Sequence, residues 1–571
     1  MRTRKLTLLA LLASTTPFFA GHAGANDLES LRYLSNHDAI EAFKDLRLPL
    51  SDNHHAFCGN RLDATEYAHA AVLSRSELSG GNALAASDAN SLRPDLGADG
   101  IRERNRAGNN FSVRTRTEEA VVFLDFDPDA GQLPTFEVDF IDEAGNLLTT
   151  FVLDDYVFTS DDRNFIRDRI AADLAPYGYT VTTTQPTSGP FTEIDFANND
   201  RVPGEDTNIT LIQNANGGVG FSVLFGRADE IDFLDDNLQG TAFTDASVWV
   251  VVAELFTAGT FEFFTGIPAD GDGDGNTDAE AVQTAVRNQA SNTGAHEAGH
   301  TFGLRHHDSI GRIGEGLPST GRPAPTTFVP AFIGPQDAAE TTSNIMASGA
   351  SVGIGFADSA NADRSFSQRS ALKLRLAQER IVFQTEEQVD LSPPNPFGLP
   401  PRFLNGRRAL PDGQTRRDDN DNTLFTHLIQ GSISTPGEVD PYSFFAREGD
   451  IINAEVISFS DSLVADFVSA EIDIFQVDFI TGSFIPLTFN AQTFEPIDPL
   501  LFEFVAPANG FYTVVVSSPD RVFLDLDGDG LIPDVWSDFS FGPLFLEGDY
   551  DLLIYRGRAP RRNEFVTLAG L

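Results

Sequence analysis

DAEAVQTAVRNQASNTGAHEAGHTFG (278–303) runs directly into LRHHD (304–308). The first stretch has an acidic start, few helix breakers and a closing glycine, so it predicts one long helix over 278–303. Near its end His296 and His300 stand four apart, on one face and one turn from each other. Two imidazoles so placed are a metal-ligand pair, and Glu297 follows the first of them. Two ligands do not close a site. Gly303 lets the helix end in a left-handed turn, which brings His306 round as the third ligand. Three neutral imidazoles beside a carboxylate are the donor set of a catalytic zinc site, with Glu297 as general base. The plain alternative is a set of solvated helix histidines. Five fixed residues in the pattern H-E-x-x-H-x-x-G-x-x-H argue against it. His307 falls outside this spacing and, with Asp308, is expected behind the ligands or at the surface.

The chain around the helix reads as an α/β layered domain over 116–385. AVVFLDFDP (120–128) is a buried strand by its apolar run. FEVDFIDEAG (136–145) and LLTTFVLDD (147–155) form a hairpin. SDDRNFIRDRIAADLAPYG (160–178) is a helix with Ser160 as its N-cap. TVTTTQP (180–186), TNITLIQ (207–213) and ASVWVVVAELF (246–256) read as strands, and a last helix covers 367–383. Proline, glycine and charge mark 386–423 as a linker. Short β-rich segments with turn signals fill 424–558 and point to an all-β sandwich, before a tail at 559–571.

At 571 residues the chain has room for about three or four domains. The start, MRTRKLTLLALLASTTPFFAGHAGA (1–25), has a basic end, an apolar run and a small-x-small site, which is the pattern of a secretory signal peptide. Residues 26–115 are polar and poorly patterned, where exported hydrolases carry a prosegment. No later stretch reaches the ~20 apolar residues of a membrane span. The expectation is a secreted, extracellular protein. A net charge of -45 argues against nucleic acid and anionic membranes as partners and supplies oxygen ligands for calcium. The single cysteine, Cys58, excludes an intramolecular disulfide.

The intact HEAGHTFGLRH (296–306) resembles the signature of the metzincin clan of zinc endopeptidases. The clan carries a methionine beneath the zinc histidines, and Met346 in SNIMASG is the only methionine after the start residue. The resemblance covers about 120–385. It implies an α+β layered domain with a twisted sheet and a long active-site helix, Zn2+ as cofactor, and protein or peptide substrates held along an edge strand. SVWVVVAEL (247–255) is the candidate for that strand, and SGASVGIGFADS (348–359) for a wall of the substrate pocket. Ser348 stands where some subfamilies have a zinc-binding tyrosine, and His307-Asp308 does not match the usual matrixin, serralysin or astacin continuation, so the resemblance stops at the clan.

Two loops repeat D-x-D-x-D-G with a further aspartate. These are Asp270, Asp272, Asp274 and Asp278, then Asp525, Asp527, Asp529 and Asp534. Alternate carboxylates around a glycine suit Ca2+, with an acidic solvated turn as the alternative. Cys58-Gly59 partly resembles the matrixin prosegment motif, whose thiolate occupies zinc; a plain buried thiol is the alternative. QGSISTPGEVDPYSFFAREGDIINAEV (430–456), VAPANGFYTVVVSS (505–518) and EGDYDLLIYR (547–556) resemble the bacterial pre-peptidase C-terminal domain, which implies substrate attachment or secretion, or removal by trimming. Two rivals to a secreted endopeptidase remain open here. One is a calcium-binding adhesion protein on a peptidase fold, and the other a zinc amidase acting on cell-wall material.

Overall fold

The computed structural model describes residues 50–57, 112–113, 120–127, 135–196, 209–215, 218–228, 231–235, 238–309, 344–347, 360–379, 381–382, 384–385, 402–403, 408–411, 423–433, 439–458, 468, 470–478, 483–490, 498–517 and 548–557. The first half is mixed α/β. In it β1 (Leu50–Phe57), β2 (Ala120–Asp125), β3 (Thr135–Asp142) and β4 (Leu147–Asp154) precede helix α1 (Ser160–Leu174). Then come β5 (Tyr179–Thr182), β6 (Thr192–Asp195), β7 (Ile209–Gln213), β8 (Val219–Leu224), β9 (Gly226–Ala228) and β10 (Thr241–Thr244). Helices α2 (Val248–Leu255), α3 (Ala258–Thr265), α4 (Ala279–Thr301) and α5 (Gln368–Glu379) follow.

One sheet runs β9-β10-β6-β2-β5, parallel throughout except where β9 pairs with β10. A second runs β1-β8-β7-β3-β4 and contains the expected β3–β4 hairpin, whose turn carries Gly145 at φ 80°. Strand β1 comes from the segment read as an unpatterned prosegment, and it adds in parallel to the edge strand β8. Its sequence, LSDNHHAF, has no apolar alternation, but pairing at an open edge needs only backbone groups.

Helix α1 buries Ile166, Ile170 and Leu174 at the expected spacing of four. Its N-cap is Thr159 rather than Ser160. Thr159 is extended (φ -70°, ψ 165°) and its hydroxyl accepts from the Asp162 amide, while Asp162 accepts from the Thr159 amide at 2.7 Å. This capping box needs the carboxylate three residues after the cap, which the register from Ser160 misplaces. Buried Asp162 also accepts from Gln283 and Arg287 of α4, so the start of one helix is tied to the side of the other.

SVWVVVAEL is not the substrate-binding strand. Residues Val248–Leu255 form helix α2 and bury Val248, Trp249, Val251, Val252 and Leu255. A run of β-branched residues favours a strand locally, but the buried set 248, 251, 252, 255 has helical spacing, and packing overrides the propensity. The Asp245 carboxylate receives the Ser247 amide at 2.7 Å just ahead of the helix.

The second half is all-β. Thr423–Ile433, Ile451–Ile457, Leu500–Val505 and Gly548–Gly557 share a six-stranded sheet with Gln384–Thr385 and Arg408–Pro411. Val439–Ala446, Glu471–Asp478, Ser483–Asn490 and Gly510–Ser517 share a five-stranded sheet with Arg402–Phe403. The core between them includes Tyr442, Phe444, Ile452, Ala454, Val456, Val514 and Ile554. Parts of the expected linker therefore belong to the sheets; Pro411 ends its strand, where a missing amide costs little.

Helix α5 is shorter than expected, ending at Glu379, and Ile381–Val382 pairs instead with Ser112–Val113. Leu372 and Leu376 of α5, with Phe233 and Leu234, pack on Leu428, Ile457, Leu553 and Tyr555 of the six-stranded sheet. No helix among the described residues is long and apolar enough to cross a membrane.

Candidate metal centre

Helix α4 delivers its histidines because of how it ends. Leu304 N donates to Gly299 O at 2.9 Å and Gly303 N to His300 O at 2.8 Å, the paired bonds of a left-handed stop. Gly303 has φ 86°, and a Cβ there would meet the backbone of Phe233. Only glycine satisfies both conditions. The chain then reverses into a short turn, His306–Ser309, which carries the third histidine back to the other two.

The Nε2 atoms of His296 and His300 lie 3.0 Å apart, and those of His300 and His306 lie 3.2 Å apart. Nδ1 of His296 donates to Ile345 O at 2.6 Å, and Nδ1 of His300 donates to Leu304 O at 2.8 Å. A carbonyl only accepts, so the ring protons sit on Nδ1 and the Nε2 lone pairs face one another. A cation between them is the arrangement that stabilises these lone pairs, and a backbone carbonyl behind a ligating ring is the usual orienting partner. Burial, then the neighbouring His300 and His306, hold the His296 imidazole well below the usual range and therefore neutral. The three residues form a cluster able to hold a metal ion, as their spacing predicts.

Glu297 is fully buried beside this cluster. A Cβ on Gly226 of β9 would lie 2.6 Å from Glu297 Oε1 and 2.7 Å from Thr293 Cγ2. The edge-strand backbone thus rests directly on Glu297. Sequence reading missed Gly226, although a glycine in a short strand signals close backbone approach. Met346 is fully buried; a Cβ on Gly299 would meet its Sδ at 2.5 Å, so the sulfur packs against α4 between His296 and His300.

His307 and Asp308 are buried, not at the surface. His307 Nε2 donates to Glu455 Oε2 at 3.3 Å, and Lys373 Nζ sits 2.9 Å from Asp308 Oδ1 and 2.8 Å from Glu455 Oε2. Burial would raise the Glu455 pKa; Lys373 and His307 outweigh it and keep the carboxyl ionised. Sequence reading gave Lys373 and Glu455 no role.

Carboxylate oxygens of Asp270, Asp272 and Asp274 lie within 4.8 Å of one another on an exposed loop. Asp270 receives the amides of Gly273 and Gly275, at 2.7 and 3.2 Å. Asp278 receives the Gly271 amide at 2.7 Å and stands at the N-cap of α4, outside that trio. Cys58, Ser348, Asp525, Asp527, Asp529 and Asp534 lie outside the described residues.

No protein-family model matches the chain, and no curated protein does. Among solved structures it is similar to PliG, a periplasmic lysozyme inhibitor of g-type lysozyme from Aeromonas hydrophila. That likeness has 14% identity, covers 23% of this chain and 85% of the inhibitor, and has a TM-score of 0.14, too low to carry an argument.

Proposed function

We propose that the chain is a secreted zinc endopeptidase of the metzincin type. His296, His300 and His306 hold the metal and Glu297 acts as the base. The observation that carries this reading is the convergence of three imidazole rings beside a buried glutamate, on a helix whose glycine stop brings the third ring round. It is supported by the sheet order β9-β10-β6-β2-β5 with one antiparallel edge strand, and by Met346 beneath the ligand turns.

When bound, zinc polarises the scissile carbonyl and acidifies the attacking water. Glu297 accepts the proton from that water and returns it to the departing amine. Ile345 O and Leu304 O hold two rings in the ligating tautomer. Strand β9 lies at the sheet edge over Glu297, so an extended peptide can pair with its backbone and present a bond to the base.

The prosegment reading is supported by β1, which ends at Phe57 opposite Leu224, one residue before Cys58. Calcium in the 270–278 loop is part of the same proposal.

Glu297→Gln tests the mechanism. It should keep its metal by elemental analysis and cleave casein about 10^2–10^4-fold more slowly. Wild-type cleavage by this variant would sink the mechanism. A wild-type protein that opens peptidoglycan but not casein would be an amidase; one that opens neither would be a binding protein.

A further inference from the structure

We propose that the β-sandwich is a working part of the metal site: through Asp498 and Glu455 it seats the turn that carries His306. The inference rests on the metal reading of His296, His300 and His306.

Two of the three ligands ride on α4 and are placed by the helix itself. His306 lies past the helix end, on a four-residue turn, and its position depends on what holds the residues around it. Each of them is fastened across the junction. Arg305 Nη2 meets Asp498 Oδ2 at 2.6 Å, with side chains 1% and 0% exposed. His307 donates to Glu455, and Asp308 reaches Glu455 through Lys373. Asp308 Oδ2 also accepts the Arg305 amide at 2.8 Å, which closes the turn on itself. On the sandwich side, Asp498 Oδ1 receives the Ser458 amide at 3.1 Å. Glu455 stands on Ile451–Ile457, where Ile452, Ala454 and Val456 point into the sandwich core. Strand alternation turns Glu455 outward, to the junction.

The energetics favour a positioning role. A buried ion pair adds little net stability over an apolar contact, but removing one partner strands a charge, so the pair strongly selects one geometry. Here that geometry places the chain on both sides of a metal ligand. The sandwich is then more than a detachable appendage, because the third ligand is seated against it.

Cobalt binding to the full-length protein tests this, read by the visible d–d absorption of Co2+. Asp498→Asn and Glu455→Gln should each weaken Co2+ binding about 10–100-fold and alter the d–d band. Glu503→Gln breaks Arg369–Glu503, a buried ion pair of the same junction that includes no residue of the His306 turn. It should leave affinity and band unchanged. The paired change Arg305→Met with Asp498→Leu leaves no lone buried charge and covers a single variant that does not fold; it should weaken binding in the same range. Equal weakening in Glu503→Gln would mean general loosening of the junction and would overturn the inference, as would unchanged binding in Asp498→Asn and Glu455→Gln. A wild-type chain that takes up no Co2+ would overturn the metal reading, and this inference with it.

Discussion

His306 and His307 are adjacent in sequence and belong to different structures. The ring of His306 meets His300 six residues back, within reach of one helix end. The ring of His307 meets Glu455, 148 residues on, in another body of the protein. The first contact is local, and a spacing rule describes it. The second exists only after two bodies have docked. One turn therefore serves two purposes, with the residue of the histidine cluster in the middle and its neighbours anchored outward.

The largest expected effect separates these two histidines. His306→Ala removes a ligand and should abolish measurable Co2+ uptake at micromolar protein. His307→Leu should retain uptake, weakened by no more than about 100-fold, and should lose about 1–3 kcal/mol of stability with its hydrogen bond to Glu455. A Co2+ titration and a denaturant melt on both variants check this. If His307→Leu loses the metal as completely as His306→Ala, the two roles are exchanged and the comparison fails.

Next in size is the turn between helix and ligand. Gly303 and Gly145 both have positive φ, at 86° and 80°. A Cβ on Gly145 meets nothing within 4 Å, whereas one on Gly303 runs into the Phe233 backbone. Gly145→Ala should cost about 1–2 kcal/mol, for conformation alone. Gly303→Ala should cost about 3 kcal/mol or more and also weaken Co2+ binding, because overpacking adds to the strain. Equal costs by denaturant melt would show that the close approach to Phe233 relaxes freely.

The same contrast explains what the sequence disclosed. The clustering of the three histidines and the Gly303 stop are legible because helical spacing and a glycine stop are short-range rules. Met346 is legible only by its place after the motif. Helix α2 misleads because Val250, Val251 and Val252 look like a strand, while the deciding burial at 248, 251, 252 and 255 is tertiary. Strands β1 and β9 are too polar or too short to show a period-two pattern, although β9 lies over Glu297. Glu455 and Asn453 occupy outward positions of their strand, which ordinarily read as solvent-facing, yet both are fully buried against the α/β half.

Asp162 sharpens the comparison on the opposite end of α4, through its contacts with Gln283 and Arg287. Burial would raise its pKa, but hydrogen bonds from Thr159 and Arg287 outweigh burial and lower it. A lowered carboxyl stabilises the fold above its unfolded value, about pH 4, and that contribution is lost as pH falls through the lower folded value. Asp162→Asn should therefore destabilise the fold at pH 7 and progressively less toward pH 2, with Co2+ affinity unchanged. A cost independent of pH would assign the effect to packing.

The smallest effect belongs to the 270–278 loop, which joins the same helix at Asp278. Its three close carboxylates are exposed and accept amides of their own loop, so the loop can stand as a solvated turn without an ion. The histidine site differs, since its three rings are drawn together across a helix stop and two of them are oriented by backbone carbonyls. Calcium at ten times its dissociation constant would stabilise the protein by about 1.4 kcal/mol. Melting should rise accordingly on adding millimolar Ca2+ and fall again in EGTA, and Asp272→Asn should remove the response while leaving Co2+ at the histidines untouched. An unchanged melt in EGTA would leave the loop as an acidic turn. Its backbone hydrogen bonds would then account for its shape, and Asp278 would serve only as the first residue before α4.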